Sequence, residues 1–341
     1  MTIILLNSTT EYRQQWRSFV LSHPHGEVFH LPEMVEVYEK TALYESFVCA
    51  AIDTNGEFRG VLVACIQREF RGVLGTFTAR SVLMGCPLVT DDDATIGAQL
   101  VTSYEQQVSK RVIYSQFRNL YDMQWLHATF DQLNYHYEEH LDILVDLQKS
   151  SDELWSDMQS NGRGRIRKAE KFGLVVKPID NDSEKQTAYE ILQEVYRRAG
   201  LPLAPKTLFD SAINSLTQSG NLIYFGVYND QVLIGVRVVL VCGKRAYDWY
   251  GGSFLAYYKF NPNDIIPWKV FCYLKEQGVE QYDWGGAGHP HKPYGVRDYK
   301  KKFGGTLVNY GRYEKVHKPF LMCMGRMGFA LYKWFKKLVN R

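Results

Sequence analysis

Polar and apolar positions along the chain fall into two kinds of rhythm. Glu45–Asp53 and Phe58–Arg68 are apolar, β-branched runs parted by Asn55-Gly56, a strong hairpin signal. Leu222–Tyr228 and Val232–Cys242 repeat the pattern around Asn229-Asp230. Helical spacing marks Glu11–Leu21 (Trp16 and Val20 on the buried stripe), Leu31–Lys40, Ala94–Arg111, Glu184–Ala199 and Lys206–Ser219. Shorter strands are expected at Ile3–Leu6, Val112–Phe117, His140–Leu147 and Leu174–Pro178, with Phe70–Leu83 extended. Ser150-Ser151-Asp152 caps a helix over Glu153–Met158, which Asn161–Gly164 interrupts before a second over Arg165–Phe172.

The sharpest local pattern is a repeat. Tyr247-Asp248-Trp249-Tyr250-Gly251-Gly252 is echoed by Tyr282-Asp283-Trp284-Gly285-Gly286, each ending a strand-like run. Between them, Asn263 can cap a helix with Pro267 in its first turn, apolar residues at Ile266, Val270, Phe271 and Leu274, and Gly278 as its stop. Strand, helix and strand at this spacing form a βαβ unit with parallel strands. Both tips then share one sheet end, where open α/β sheets bind ligands. Each half of the chain reads as helices, a hairpin, then strand–helix–strand. The expected fold is therefore α/β (α+β): two similar domains, each a mixed sheet flanked by helices, over 1–148 and 149–316, then a basic amphipathic helix over 317–341.

A length of 341 residues with 45% hydrophobic and 23% charged residues fits two soluble domains. The net charge of +3 excludes a globally basic nucleic-acid binder, and no DNA partner is expected. Six scattered cysteines show no zinc-ligand spacing, so no metal is expected. No signal peptide, membrane-spanning run, Walker A sequence or dinucleotide fingerprint is visible, which points to the cytoplasm.

Local charge is uneven. Arg163, Arg165, Arg167, Lys168 and Lys171 face only Glu170 in one stretch; Lys292, Arg297, Lys300, Lys301 and Lys302 face only Asp298 in another. The first suits phosphate contacts through Arg163, Arg167 and Lys168. In the second, Arg297 and Lys300 are read as anion binders and Lys301 and Lys302, taken singly, as a solvated face. Asp248 and Asp283 either provide a general base in an aromatic cleft or cap the turns after them; capping is the better reading for Asp283. His289 and His291 lack a third ligand. The tail from Lys315 to Arg341 has seven Lys or Arg and no acid. Its helix either docks on the protein or lies on an anionic membrane surface. Gln159-x-x-Gly162-x-Gly164 fits the pyrophosphate cradle of acetyltransferases but follows a helix rather than a strand.

These residues in order resemble the FemABX peptidyltransferases. The likeness runs through Tyr247–Ser253, Asn261-Pro262 to Trp268, Tyr282–Gly286 and Gly295–Gly305, with Arg163–Gly173 similar to that family's "R-x-x-I-R-K-A-x-K-x-G" and Gly85-Cys86-Pro87 to its "G-G-P". It extends from about Trp16 to Tyr313. Tyr299 stands where the motif has Phe, and no long coiled-coil insertion is present. The resemblance implies two tandem GNAT-like domains meeting at a cleft and no tightly bound cofactor. It implies aminoacyl-tRNA as donor and a UDP- or lipid-linked muropeptide as acceptor; the basic tail Pro319–Arg341, outside the resemblance, is the expected place of any peripheral contact at the inner membrane face. It places Lys300 on the acceptor's phosphate. The expected catalytic set is Lys300, Tyr250 and Asp248, with Arg163, Arg167, Lys168, Trp249, Asp283, Trp284, Lys292 and Arg297 binding substrates. An acyl-CoA donor with an amino-sugar acceptor, or a non-catalytic module that grips an envelope lipid, are the alternatives.

Overall fold

Both hairpins form where their turn residues permit. Gly56 (φ 83°) closes the first, and Asp230 (φ 47°) and Gln231 (φ 67°) take the left-handed conformation that a two-residue turn requires in the second. The computed structural model describes residues 1–85 and 87–325. The chain divides into two units: residues 1–138 with the chain from Tyr310 onward, and Glu139–Asn309.

The first unit runs β1 (Thr2–Leu6), α1 (Arg13–Ser22), α2 (Pro32–Lys40), β2 (Tyr44–Ile52), β3 (Phe58–Gln67), α3 (Gly72–Thr76), β4 (Arg80–Met84), β5 (Leu88–Val89), α4 (Ala94–Val108), β6 (Tyr114–Arg118), α5 (His127–Gln132) and β7 (His136–Glu138). The second runs β8 (Leu141–Asp146), α6 (Ser151–Asp157), α7 (Ser160–Lys171), β9 (Val175–Pro178), α8 (Asp182–Ala199), α9 (Lys206–Leu216), β10 (Leu222–Asn229), β11 (Val232–Cys242), β12 (Arg245–Ser253), α10 (Pro262–Glu276), β13 (Gln281–Asp283), α11 (Gly295–Lys300) and β14 (Thr306–Asn309). The last strand, β15 (Arg312–Val316), returns to the first unit.

The sheet orders are β1-β2-β3-β4-β6-β15-β7 and β14-β8-β13-β12-β11-β10-β9. Each has one parallel pair, β4 with β6 and β12 with β13, spanned by α4 and α10. In each sheet, one strand distant in sequence separates the last two: β15, returning from beyond the second unit, between β6 and β7, and β8, the second unit's first strand, between β13 and β14. The boundary placed near residue 148 therefore falls at 138/139, and the chain crosses back at Tyr310 rather than after 316. Alternation marks His140–Leu147 as a strand without naming the sheet it joins.

Three local expectations change. Asn161–Gly164 does not interrupt a helix; these residues form the first turn of α7, and a Cβ on Gly162 would sit 3.2 Å from the Lys302 carbonyl. The extended reading of Phe70–Leu83 is broken by α3. α10 begins at Pro262 on a left-handed Asn261 (φ 60°), so Pro267 lies inside the helix rather than in its first turn. Residues 319–325 are helical, and the remainder of the expected tail helix lies outside the described residues. Among the described residues, no helix is long and apolar enough to cross a membrane.

Candidate active site

The site begins with one misfit residue. β11 reads Val-Leu-Ile-Gly-Val-Arg-Val-Val-Leu-Val-Cys, a central strand with a single charge, Arg237. Its side chain is only 5% exposed. Such a buried cation needs a partner. Nη1 donates to Asp248 Oδ2 on neighbouring β12 at 2.6 Å, and the guanidinium lies 5.0 Å from the centre of the Trp284 ring. Burial alone would lower the arginine's pKa; Asp248, Tyr299 and Tyr282 outweigh it and hold Arg237 charged. Burial pushes the Asp248 carboxyl up, against the pull of Arg237 and Lys300.

Pro267 explains the next contact. A proline inside a helix has no N–H for the carbonyl four residues earlier, here Asn263. The Tyr299 hydroxyl donates to that carbonyl at 2.6 Å and accepts from Arg237 Nη2 at 3.3 Å. Arg237 is thus fixed from two sides, and the hydroxyl is supplied by the residue where the FemABX motif has Phe.

Lys300 is buried at the end of α11. Its ammonium donates to the carbonyls of Trp284, Gly285 and Gly286 at 2.6, 2.9 and 2.9 Å. An ammonium has three donors, and these are all engaged. Lys300 therefore holds the second glycine tip in shape, its three N–H groups engaged by backbone carbonyls rather than turned to the cavity beside Arg237. Asp283 is buried as well, and its Oδ1 accepts from Gly285 N at 2.6 Å, the capping arrangement. Burial, then Asp142, raise its pKa well above the ordinary carboxylate range. Asp283 pairs in register with Tyr247, so it lies one residue out of step with Asp248, on the other face of the sheet. The two carboxylates do not form an acid–base pair.

Beside Arg237 opens a cavity of about 410 Å³ whose lining includes Arg165, Gly251, Gly252, Asp264, Tyr299 and Lys302. Gly252 leaves no room for a side chain, since a Cβ would approach Val195 Cγ2 to 2.6 Å. β12 carries a bulge at this end: Val238 pairs with Tyr250 and Val239 with Asp248, leaving Trp249 outside the ladder. Asp264, in the first turn of α10, is buried, and Oδ1 has no hydrogen-bond partner. Arg165 Nη1 stands 3.8 Å from Oδ2. Burial raises the Asp264 pKa, and the Arg165 and Lys302 charges oppose it.

The other expected residues lie elsewhere. Arg163 Nη1 donates to the carbonyls of Ser156 (3.0 Å) and Met158, closing the end of α6 away from the cavity lining. Arg297 staples its own loop through the carbonyls of His289 and Lys292, both at 2.8 Å. Arg167 lies over the Trp155 ring and Lys168 over Phe172. Lys292 is exposed. Tyr250 and Trp249 belong to an aromatic cluster with Phe209 and Tyr196, and Trp284 is core beneath Arg237. Sequence reasoning misses Arg237 and Asp264, and Lys302, expected to be solvated, lines the cavity. The signal for Arg237 is a lone cation in an apolar strand; for Asp264 it is an acid among Asn-Pro-Asn-Asp at a helix start.

Residues 156–301 match the family described as an acetyltransferase (GNAT) domain. The chain is 20% identical to the lipid II:glycine glycyltransferase of Staphylococcus epidermidis, covering 86% of this chain and 88% of the relative. For the Staphylococcus aureus protein of the same name the identity is 20%, covering 86% and 89%. The solved structure of FemX superposes with a TM-score of 0.73 at 16% identity, covering 95% of this chain and 99% of FemX. A tandem GNAT protein from the clavulanic acid biosynthesis pathway gives 0.58 at 11% identity, covering 93% and 98%. The tandem GNAT-like fold expected from the sequence is thereby established.

Proposed function

We propose that this chain, FemABX-like in sequence and fold, is an aminoacyltransferase that forms an amide bond on the amine of a lipid-linked peptidoglycan precursor, with aminoacyl-tRNA as donor. The observation that carries this reading is the likeness to lipid II:glycine glycyltransferases over 86% of the chain. The charged cavity at the open end of the β12–β13 pair supplies a place for the chemistry.

In the step itself, the acceptor amine attacks the ester carbonyl of the donor. A C–N bond forms, the C–O bond to the terminal ribose breaks, and the proton lost by the amine ends on the ribose oxygen. Positioning two bound reactants accounts for much of such a rate. Arg165 and Lys302 at the cavity take phosphates of the donor. Arg237, held by Asp248 and Tyr299, keeps a fixed positive field beside the carbonyl and the developing oxyanion. Lys300 acts as a positioning residue by holding the Gly285-Gly286 tip. Tyr250 contributes to the aromatic wall, and Asp248 balances Arg237 instead of acting as the base.

An acyl-CoA donor is disfavoured. A pyrophosphate binds well at a helix start rich in free N–H groups. Here α10 opens with Pro262, which has none, and carries the Asp264 carboxylate in its first turn. The Gln159-x-x-Gly162-x-Gly164 pattern lies at the start of a helix that follows α6, not a strand. Contact with the inner membrane face through Pro319–Arg341 fits a lipid-linked acceptor.

The test is to incubate the protein with lipid-linked muropeptide and a mixture of charged tRNAs, then read the product mass. A gain of one amino-acid residue is expected. A gain only when acyl-CoA replaces the tRNAs, or no gain with either, overturns the reading.

A further inference from the structure

The cavity beside Arg237 has an uneven charge plan. Arg165 is half exposed, its side chain 54% accessible, and Lys302 is partly buried beside Tyr299. Deeper lies the Asp264 carboxylate, its side chain 9% exposed. Oδ1 has no hydrogen-bond partner, and Arg165 stands beyond hydrogen-bond length from Oδ2. A buried carboxylate without hydrogen bonds is costly, and ordinarily one or more donors would satisfy it. Two further residues of the cavity lining carry unpartnered donors, Asn261 Nδ2 and Arg237 Nε. None of these donors reaches Asp264 Oδ1 within hydrogen-bond distance. Cations outside and an unmet anion inside describe the complement of a ligand with anionic groups along its body and a compact cation at its tip.

Building on the proposed transfer reaction, we infer that Asp264 forms a subsite for a primary ammonium carried by one of the substrates. Two sources have that chemistry: the α-ammonium of an aminoacyl-RNA donor and the side-chain ammonium of the peptide acceptor. A simple acyl thioester has neither. The subsite therefore separates donors or acceptors with a free amine from those with a blocked one, independently of the chemical step. A charge-assisted hydrogen bond of this kind gives about a tenfold preference.

The test uses unreactive probes and reads binding by fluorescence anisotropy. One pair is an RNA minihelix bearing amide-linked glycine at its 3′ end and the same RNA with N-acetylglycine. The second pair is the muropeptide with a free and with an acetylated amine. Wild-type protein is expected to prefer the free amine about tenfold in one pair, which also identifies the source of the ammonium. Asp264→Asn is expected to erase that preference without weakening the acetylated probe, with its thermal melt confirming a folded protein. A wild-type ratio near one in both pairs, or a ratio retained in Asp264→Asn, overturns the inference. Should the ratio hold while wild-type protein transfers no amino acid from any charged tRNA, the ammonium subsite stands and the proposed reaction fails.

Discussion

The two units share one order of elements and differ in what they bury beside their parallel strands. In the first, β4 and β6 bury Ser81, Ser115 and Gln116, and the Tyr104 hydroxyl of α4 donates to Ser115 Oγ at 2.6 Å. These groups are neutral. In the second, the neighbourhood of β12 and β13 buries Arg237, Asp248, Asp264, Asp283 and Lys300. The crossover helices differ in the same sense. α4 is capped by Asp93, whose side chain accepts from Thr95 N and Ile96 N. α10 starts on a left-handed Asn261 and carries Pro267 inside, which sends the Asn263 carbonyl to Tyr299. Topology alone thus does not make a site. The candidate site of the second unit is marked by charges buried where the first unit buries neutral groups, an arrangement that costs stability.

The contrast can be broken most forcefully at Arg237. Arg237→Met leaves Asp248 buried without its counter-charge and should lower stability by about 3–5 kcal/mol in urea denaturation. Adding Asp248→Asn should restore most of the loss; failure to do so would mean that Arg237 stabilises the strand through something other than its pairing with Asp248. Lys300→Met strands three carbonyls and should cost about 2–3 kcal/mol, with transfer falling as the glycine tip loosens. A full loss of transfer at unchanged stability would instead restore Lys300 to a direct chemical role.

Asp283 gives a pH signature. Its folded pKa is raised well above 3.8, by burial first and then by Asp142. The folded protein keeps this proton at pH values where the unfolded chain has released it. The resulting stability is complete below the unfolded value and is lost as pH rises through the raised folded one. Asp283→Asn keeps an oxygen for the Gly285 N–H and removes the titration. Stability of the variant relative to wild type should therefore climb with pH across that window, by about 1.4 kcal/mol per unit, as read from denaturation midpoints at a series of pH values. A flat difference contradicts the assignment. The smallest effect is expected for Tyr299→Phe, which removes one hydroxyl between Arg237 and the Asn263 carbonyl and should cost about 1 kcal/mol by the same assay.

Much of the scaffold is legible in the sequence. The turns at Asn55-Gly56 and Asn229-Asp230 mark two hairpins, and the spacing of the Tyr-Asp-Trp repeats marks the parallel pair and its helix. The return of β15 to the first sheet and the place of β8 in the second are not legible, because alternation encodes which residues face inward and not which sheet receives the strand. Site residues are harder for a related reason. Arg163 and Arg297 sit in basic clusters, yet their guanidinium groups are committed to backbone carbonyls at a helix end and in a loop, partners that only the folded chain brings near. Lys300 does lie beside the second tip, as its spacing suggests, and it meets three backbone carbonyls there that no spacing announces. Arg237 is readable as a charge in an apolar strand, a local inconsistency of the kind that marks function.

The most direct test of the central claim maps the donor on the protein. A charged RNA minihelix whose aminoacyl group carries a photoreactive tag is cross-linked in the presence of acceptor, and the modified peptides are identified by mass spectrometry. Cross-links within residues 251–264 or 296–302, the segments around the Arg237 cavity, are predicted. Cross-links confined to residues 1–138 would contradict the account.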